Sequence, residues 1–558
     1  MPTEPALRTA LDTFTTALPE RATDPLPETA ADALSETAPG TLPDAATVTA
    51  ADTGRLDAVF GDDDAVSQWL DDLAAASVVG LGEATHGTRE FVRLNARVAA
   101  GLFARGFRTL ALEADAAAVL ALDDYLRGDS PDEQTSDSAS DLDAVLCDLR
   151  PWFWSTETAR AWVRWLRQVQ EALPAGERVR VRGVDLGRPS SATAWLRSYV
   201  DRVERTDSDL AVTLREAARA SFDSDTLLPD ARFANTPLGD TPTAESDASE
   251  RDDVDAVRDA IQRLDDTLAD EEPRCVEAVD SEAWLRARHL CRVLDGAVEW
   301  NRVRRAHSGP HPDGMAERDR QLSRVLARCL SHDAGDGVVV AAHNSHVQRG
   351  TFDDGQSWTD RATMGDCLAR EFGERYTPVG FDFARGSVTA IDGSANTDGR
   401  QYDVFSVGSP PADTATATFD RLDAAPCVIH LGAAAESHGH TAQSDGTATT
   451  GRPAQSDGTA VTDRPAQSDE TRSTDPPQRA ESSLSAWLED RRRIRWIGSV
   501  YDPEEPQRQF QTTPLAASYD HLVFVDSSTA TRLLDCEQID DSDEDGDDDS
   551  DEHRDGEA

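Results

Sequence analysis

The stretch VVGLGEATHGTREF, Val78 to Phe91, decides how the rest of the chain is read. Its apolar run, SVVGLG, stops at Glu83, a histidine follows at His86, and the chain then turns helical. REFVRLNARVAAGLFARG places Phe91, Leu94, Val98 and Leu102 on one helical stripe, and RTLALE, Arg108 to Glu113, is strand-like again. Strand, helix and strand in so short a span predict a parallel βαβ unit.

The same alternation continues outward. RVRVRGVD (Arg178 to Asp185), GVVVAAH (Gly337 to His343), YTPVGFDF (Tyr376 to Phe383), CVIHL (Cys427 to Leu431) and HLVFVD (His521 to Asp526) read as further strands. Helical patterns lie between them, notably Thr156 to Leu173 and the long stretch from Val254 to Arg305. The expected fold class is α/β, a mostly parallel sheet flanked by helices, with a helical insertion and disordered acidic insertions and tail.

Composition shifts set the expected boundaries. Residues 1–50 alternate short helical patterns with Pro-rich acidic pieces and are expected to be loosely attached. The main α/β domain is expected over 51–434, with a loop-like stretch from Gly128 to Asp141 and a polar insertion near 228–253. Within 435–482, AQSDGTATTGRP, AQSDGTAVTDRP and AQSDETRSTDPP repeat with a period of 12 and almost no apolar residues to stack, which predicts a solvated insertion. Residues 483–534 are expected to complete the same domain, and 535–558 to form an acidic tail extended by self-repulsion.

The chain of 558 residues carries 105 acidic against 55 basic residues, a formal charge of −50, and every basic residue is Arg. So negative a field repels nucleic acid and anionic membrane surfaces. Acid-rich, Lys-free composition also suits a protein kept soluble in concentrated salt, where screening relieves self-repulsion. GC-rich coding alone would replace Lys with Arg but would not supply the acid excess. The seven cysteines include no C-x-x-C pair and suggest neither a zinc ribbon nor a disulfide framework. MPTEPALRTALDTF has no basic start or apolar core of a signal peptide, and no long apolar run occurs, so a soluble cytoplasmic protein with reduced thiols is expected.

The polar residues fall where the apolar strands stop: Glu83 and His86, then Glu113 and Asp115, then Asp185, then His343, Asn344, Ser345 and His346. Ligands of open parallel sheets bind outside the carboxyl ends of the strands, so these ends are expected to share one crevice. An imidazole accepts a proton from water near neutral pH, and a carboxylate on its other nitrogen fixes the tautomer. The helix start after Gly87 offers backbone N–H groups to an anionic intermediate. Each position also has a plainer structural use. A strand-end Glu caps the next helix, Asp185 leads into a Leu-Gly-Arg-Pro turn, and His-Asn-Ser-His can satisfy itself. Trp152, Trp154, Trp162 and Trp165 read as an amphipathic core helix with its entry strap, or more sharply as the wall of a bulky substrate site. His438 and His440 form His-Gly-His beside the repeat, where a fortuitous metal contact or nothing is expected. No G-x-S-x-G elbow, P-loop or dinucleotide fingerprint occurs.

GLGEATHGTREF, followed by GFRTLALEAD and DDYLRG, resembles the opening signature of the erythromycin esterase family. AAHNSHV matches that family's H-N-x-H-V strand end, and Met364 to Val388 resembles the segment that follows; the similarity spans about Ser77 to Thr531 outside the insertions. The chain departs from the pattern at Asn95, where many relatives have Lys. The resemblance implies a hydrolase of an ester, in the best-known members the erythromycin lactone and hence antibiotic resistance, through activated water and without a covalent acyl-enzyme. It implies His86 as general base, Glu83 and Glu113 as orienting groups, and His343 and His346 as groups that bind or protonate the substrate oxygen. Asn344, Arg89 and Asp185 are the substrate-binding candidates. The expected partner is a small-molecule ester or lactone, with no cofactor and no metal, no nucleic acid and no membrane. Two alternatives stay open: a metal-dependent hydrolase using the same Glu/His cluster, and a non-catalytic protein binding haem or another bulky ligand through its histidines.

Overall fold

The structure is a computed structural model that describes residues 15–18, 64–128, 139–149, 151–172, 177–222, 247–307, 311–332, 337–353, 360–393, 402–422, 425–432 and 486–536. A ten-stranded sheet runs through it. Its strands are β1 (Thr15–Ala17), β2 (Val78–Leu81), β3 (Thr109–Asp115), β4 (Arg180–Asp185), β5 (Val338–Ala341), β6 (Tyr376–Asp392), β7 (Tyr402–Val407), β8 (Cys427–His430), β9 (Val500–Tyr501) and β10 (His521–Ser528). They lie in the order β1-β8-β10-β6-β2-β5-β3-β4, with β7 and β9 also paired to β6.

From β10 through β6, β2, β5 and β3 to β4 every pairing is parallel. The antiparallel pairings are β1 with β8, β8 with β10 and β6 with β7. The sheet is therefore mixed and mostly parallel. Strands β2 and β5 are buried at every position, as expected of parallel strands covered on both faces.

Alternate residues of each strand enter opposite cores, following the two-residue strand period. Val78, Ala111, Val338 and Val340 face one core, and Val79, Leu81, Leu110, Leu112 and Val339 face the other. The second core is roofed by α1 (Asp64–Ala74), α2 (Arg89–Ala104), most of α3 (Ala118–Arg127), α4 (Ala139–Asp148) and α5 (Glu157–Ala172). The first is roofed by α6 (Pro189–Glu204), α7 (Ser208–Phe222), α8 (Asp247–Asp270), α9 (Glu272–Ala278), α10 (Ser281–Arg305) and α11 (Pro312–His332). These six helices all lie between β4 and β5, and they are the helical insertion seen in the sequence.

Two expectations are corrected. Part of the segment 1–50, expected to be loosely attached, is docked: Thr15–Ala17 pairs with Cys427–Ile429 at the sheet edge. Three residues are too few for a strand pattern to show in the sequence. The thiols are not all reduced either, because Cys147 in α4 is bonded to Cys536 across a sequence separation of 389. A single long-range bridge leaves no spacing pattern, and the other five cysteines are free. The repeat at 435–482, most of the insertion 228–253 and the tail beyond Cys536 lie outside the described residues. Among the described residues no helix is long and apolar enough to cross a membrane.

Candidate active site

The loop after β2 is threaded between its neighbours. A side chain on Gly82 would place its Cβ 2.1 Å from Asn344 Oδ1, and one on Gly87 would come within 1.8 Å of the Thr389 carbonyl oxygen. Both glycines are set by close approach. Asn344 N–H donates to the Glu83 carbonyl (2.9 Å), Ile497 N–H to that of Ala84 (2.7 Å), and Thr389 and Thr531 N–H to that of Gly87 (3.1 and 3.0 Å).

So held, Glu83 and His86 turn to the same side. His86 Nδ1 lies 2.5 Å from Glu83 Oε1, in a buried contact. With Nδ1–H donating to the carboxylate, Nε2 is the nitrogen that keeps its lone pair as an acceptor. Phe153 covers one face of the imidazole, with ring centroids 3.9 Å apart and planes within 3°. A cavity of about 10 Å³ lies alongside, lined by Glu83, His86, Asn95, Phe153 and Trp154 among others. That is about the room one water needs. Asn95, where the family pattern has Lys, donates to the Gly82 carbonyl (3.2 Å).

His343 follows β5 and caps the one-turn helix Asn344–Val347, its Nδ1 accepting from Ser345 N–H (3.2 Å). That bond assigns the proton of the neutral ring to Nε2. Nε2 is buried without a well-formed hydrogen bond among the described residues, the Ala84 backbone is a further weak partner of the ring, and the ring centroid is 4.9 Å from that of His86. Burial first, and the neighbouring His86 second, hold His343 well below the usual histidine range. It is thus a neutral N–H donor beside an imidazole with an open acceptor.

A charged layer supports this pair. Glu113 accepts His343 backbone N–H at Oε2 (3.0 Å), and its Oε1 meets Arg318 Nη2 and His346 Nε2, each at 3.2 Å. Burial pushes the Glu113 carboxyl up, but His346, Arg318 and His86 together hold it well below the carboxylate range. His346 Nδ1 is 2.6 Å from Asp319, whose second oxygen accepts from Arg361 at 2.5 Å. Burial works against the charge of His346, yet Asp319 and Glu113 raise it to about 9. Arg318 also clamps Asp185, through Nε at 3.2 Å and Nη2 at 2.8 Å.

The sequence-derived candidates therefore separate. Glu83, His86, Glu113 and His343 converge. His346 has both nitrogens engaged, by Asp319 and Glu113. Asn344 was a substrate-binding candidate, but its amide bridges to Phe381 N–H (3.0 Å) and carbonyl (2.7 Å) and fastens the β5 end to β6. Asp185 stands behind Arg318. The helix start at Arg89 is covered by the C-terminal segment, since Arg89 N–H donates to the Thr529 carbonyl (3.0 Å). Asp115, two residues ahead of the N-cap Ala117, accepts Ala118 N–H at the start of α3 (2.8 Å). Sequence reasoning missed Phe153, Arg318, Asp319 and Arg361. The signal for two of them is an Arg-Asp pair in MAERDRQL, charged residues where the helix faces inward.

The strand-end donors do not gather tightly enough to share one ion as they stand. Among the described residues the one group of His, Cys, Asp and Glu whose ligand atoms do so is His307, His311 and Asp313, where α10 gives way to α11.

A profile of the erythromycin esterase family matches residues 104–528. It begins after Glu83 and His86. Three solved structures share the fold. A succinoglycan biosynthesis protein aligns with TM-score 0.60 at 13% identity, over 95% of this chain and 99% of its own. A Bacillus cereus protein aligns with TM-score 0.61 at 15% identity, over 96% and 100%. An erythromycin esterase mutant in its open conformation aligns with TM-score 0.50 at 16% identity, over 85% and 96%.

Proposed function

The chain belongs to the erythromycin esterase family, and from that premise we propose that it hydrolyses an ester or lactone with a water activated by His86. The observation that carries this reading is the 2.5 Å His86–Glu83 contact beside a cavity of about 10 Å³. His86 Nε2 takes a proton from the water as its oxygen attacks the acyl carbon. Glu83 stabilises the imidazolium that results. The carbonyl oxygen gains a negative charge, which the Nε2–H of neutral His343 is suited to receive. As the tetrahedral centre collapses, the acyl C–O bond breaks and the departing alkoxide recovers the proton from His86. Carboxylic acid and alcohol leave, the acid losing its proton to solvent, with no bond formed to the protein.

Glu113 already serves three donors, so the reading gives it the task of fixing His343 and His346. A macrolide is the substrate of the family's name, and we extend it here only to the class of esters and lactones. A panel of such substrates in high-salt buffer, run on wild type and His86→Asn, tests the proposal. General-base catalysis contributes about 10²–10⁴ in rate, so kcat/KM is expected to fall by that factor while the melting temperature holds. Retained activity would remove His86 from the mechanism.

A further inference from the structure

The passage from α10 to α11 brings together three donors that ester hydrolysis does not use. His307 Nε2 and His311 Nδ1 each lie 3.5 Å from the same oxygen, Asp313 Oδ2. The three ligand atoms lie within 4.8 Å of one another. The two imidazoles are stacked, with centroids 3.6 Å apart and planes within 4°. A separation of 3.5 Å is beyond a well-formed N–H···O bond. The hydrogen bond that ties the group together is a long one, Asp313 N–H to His311 Nδ1 at 3.2 Å.

A tetrahedral ion with metal–ligand bonds of 2.0–2.1 Å spaces its ligands by about 3.4 Å. Both histidine-to-carboxylate distances sit at that edge length. We propose that His307, His311 and Asp313 form a binding site for a divalent transition metal of the zinc class, with a fourth position open to solvent. Two imidazoles and one carboxylate select zinc, nickel or copper over magnesium or calcium. The lone pairs of two stacked, parallel rings lie in separate planes, so loading requires one imidazole to turn out of the stack and His311 Nδ1 to exchange its long bond to Asp313 N–H for the ion. His307 and His311 are half-buried and Asp313 is exposed, so an ion reaches them without unfolding, and the net charge of −50 raises the local cation concentration. The site pins the first turn of α11, the helix that delivers Arg318 and Asp319 to the crevice. The inference is independent of the esterase reading.

The test is zinc titration of the tag-free, chelator-stripped full-length chain, counting equivalents by calorimetry, with cobalt absorption reporting coordination geometry. Wild type is expected to bind at least one equivalent and to melt higher with zinc. The double substitution His307→Ala/His311→Ala is expected to lose one equivalent, and Asp313→Asn, which keeps a polar side chain on the surface, to bind at least tenfold more weakly. His438→Ala/His440→Ala is expected to leave that equivalent in place. No binding by wild type, or an unchanged count in the His307/His311 variant, overturns the proposal.

Discussion

His346 shows how much of this site is electrostatic support for other groups. It is fully enclosed between Asp319 and Glu113, and its value of about 9 stands above the usual histidine range. Because the folded value is raised, its stabilising contribution is complete below about pH 6.5 and is lost as pH climbs through about 9. His346→Gln is expected to lower stability at pH 7 by about 3–5 kcal/mol, the cost of leaving a buried carboxylate pair short of its cation. The gap to wild type in urea unfolding is expected to narrow as pH rises from 7 to 10, and a constant gap would show that His346 is neutral in the folded protein. His343 is the opposite case, the residue that caps the same turn, held neutral by burial. Two imidazoles from one H-N-S-H run thus take opposite charge states. Spacing showed that they were candidates; it could not show which carboxylates each would meet, because Asp319 and Arg361 come from elsewhere in the chain.

At the scale of elements, the strap Trp152–Trp154 matters most. This short 3₁₀ turn between α4 and α5 lays Phe153 on His86 and sends Trp154 Nε1 to the Glu113 carbonyl (3.0 Å). The sequence favoured a bland core role for these aromatics. They are buried, as that reading requires, but Phe153 is buried against His86 and Trp154 against Glu113. With Phe153 in place the cavity beside His86 holds about 10 Å³, enough for one water. Phe153→Ala is expected to cost about 3–5 kcal/mol of stability. It is also expected to lower kcat about 10²-fold, since the ring fixes the plane of the base. An unchanged kcat would show that Glu83 alone orients His86. The strands themselves were legible because parallel burial writes continuous apolar runs, and their polar ends marked the crevice. The strap was not, because an aromatic cluster spells core and pocket wall in the same letters.

For the whole molecule, acid excess and the absence of Lys remain the features that no single contact explains. Many Arg side chains are paired with carboxylates on the surface, as in Arg215 with Asp201 (2.7 Å) and Glu204 (2.5 Å). Pairs of this kind are solvent-screened, contribute little and do not offset a formal charge of −50. Added salt shortens the reach of that repulsion. The melting temperature is therefore expected to rise by several degrees from dilute to molar KCl, and a flat or falling curve would overturn the reading of a protein adapted to concentrated salt.

The Cys147–Cys536 bond turns most of this linear chain into a closed ring. A single protease cut anywhere between those two positions, including within the repeat near residue 450, opens the ring without releasing a fragment. The cut protein keeps its full mass on a gel until a reductant is added, and only then separates into two pieces. Integrity of the backbone and integrity of the molecule are therefore different quantities for this protein.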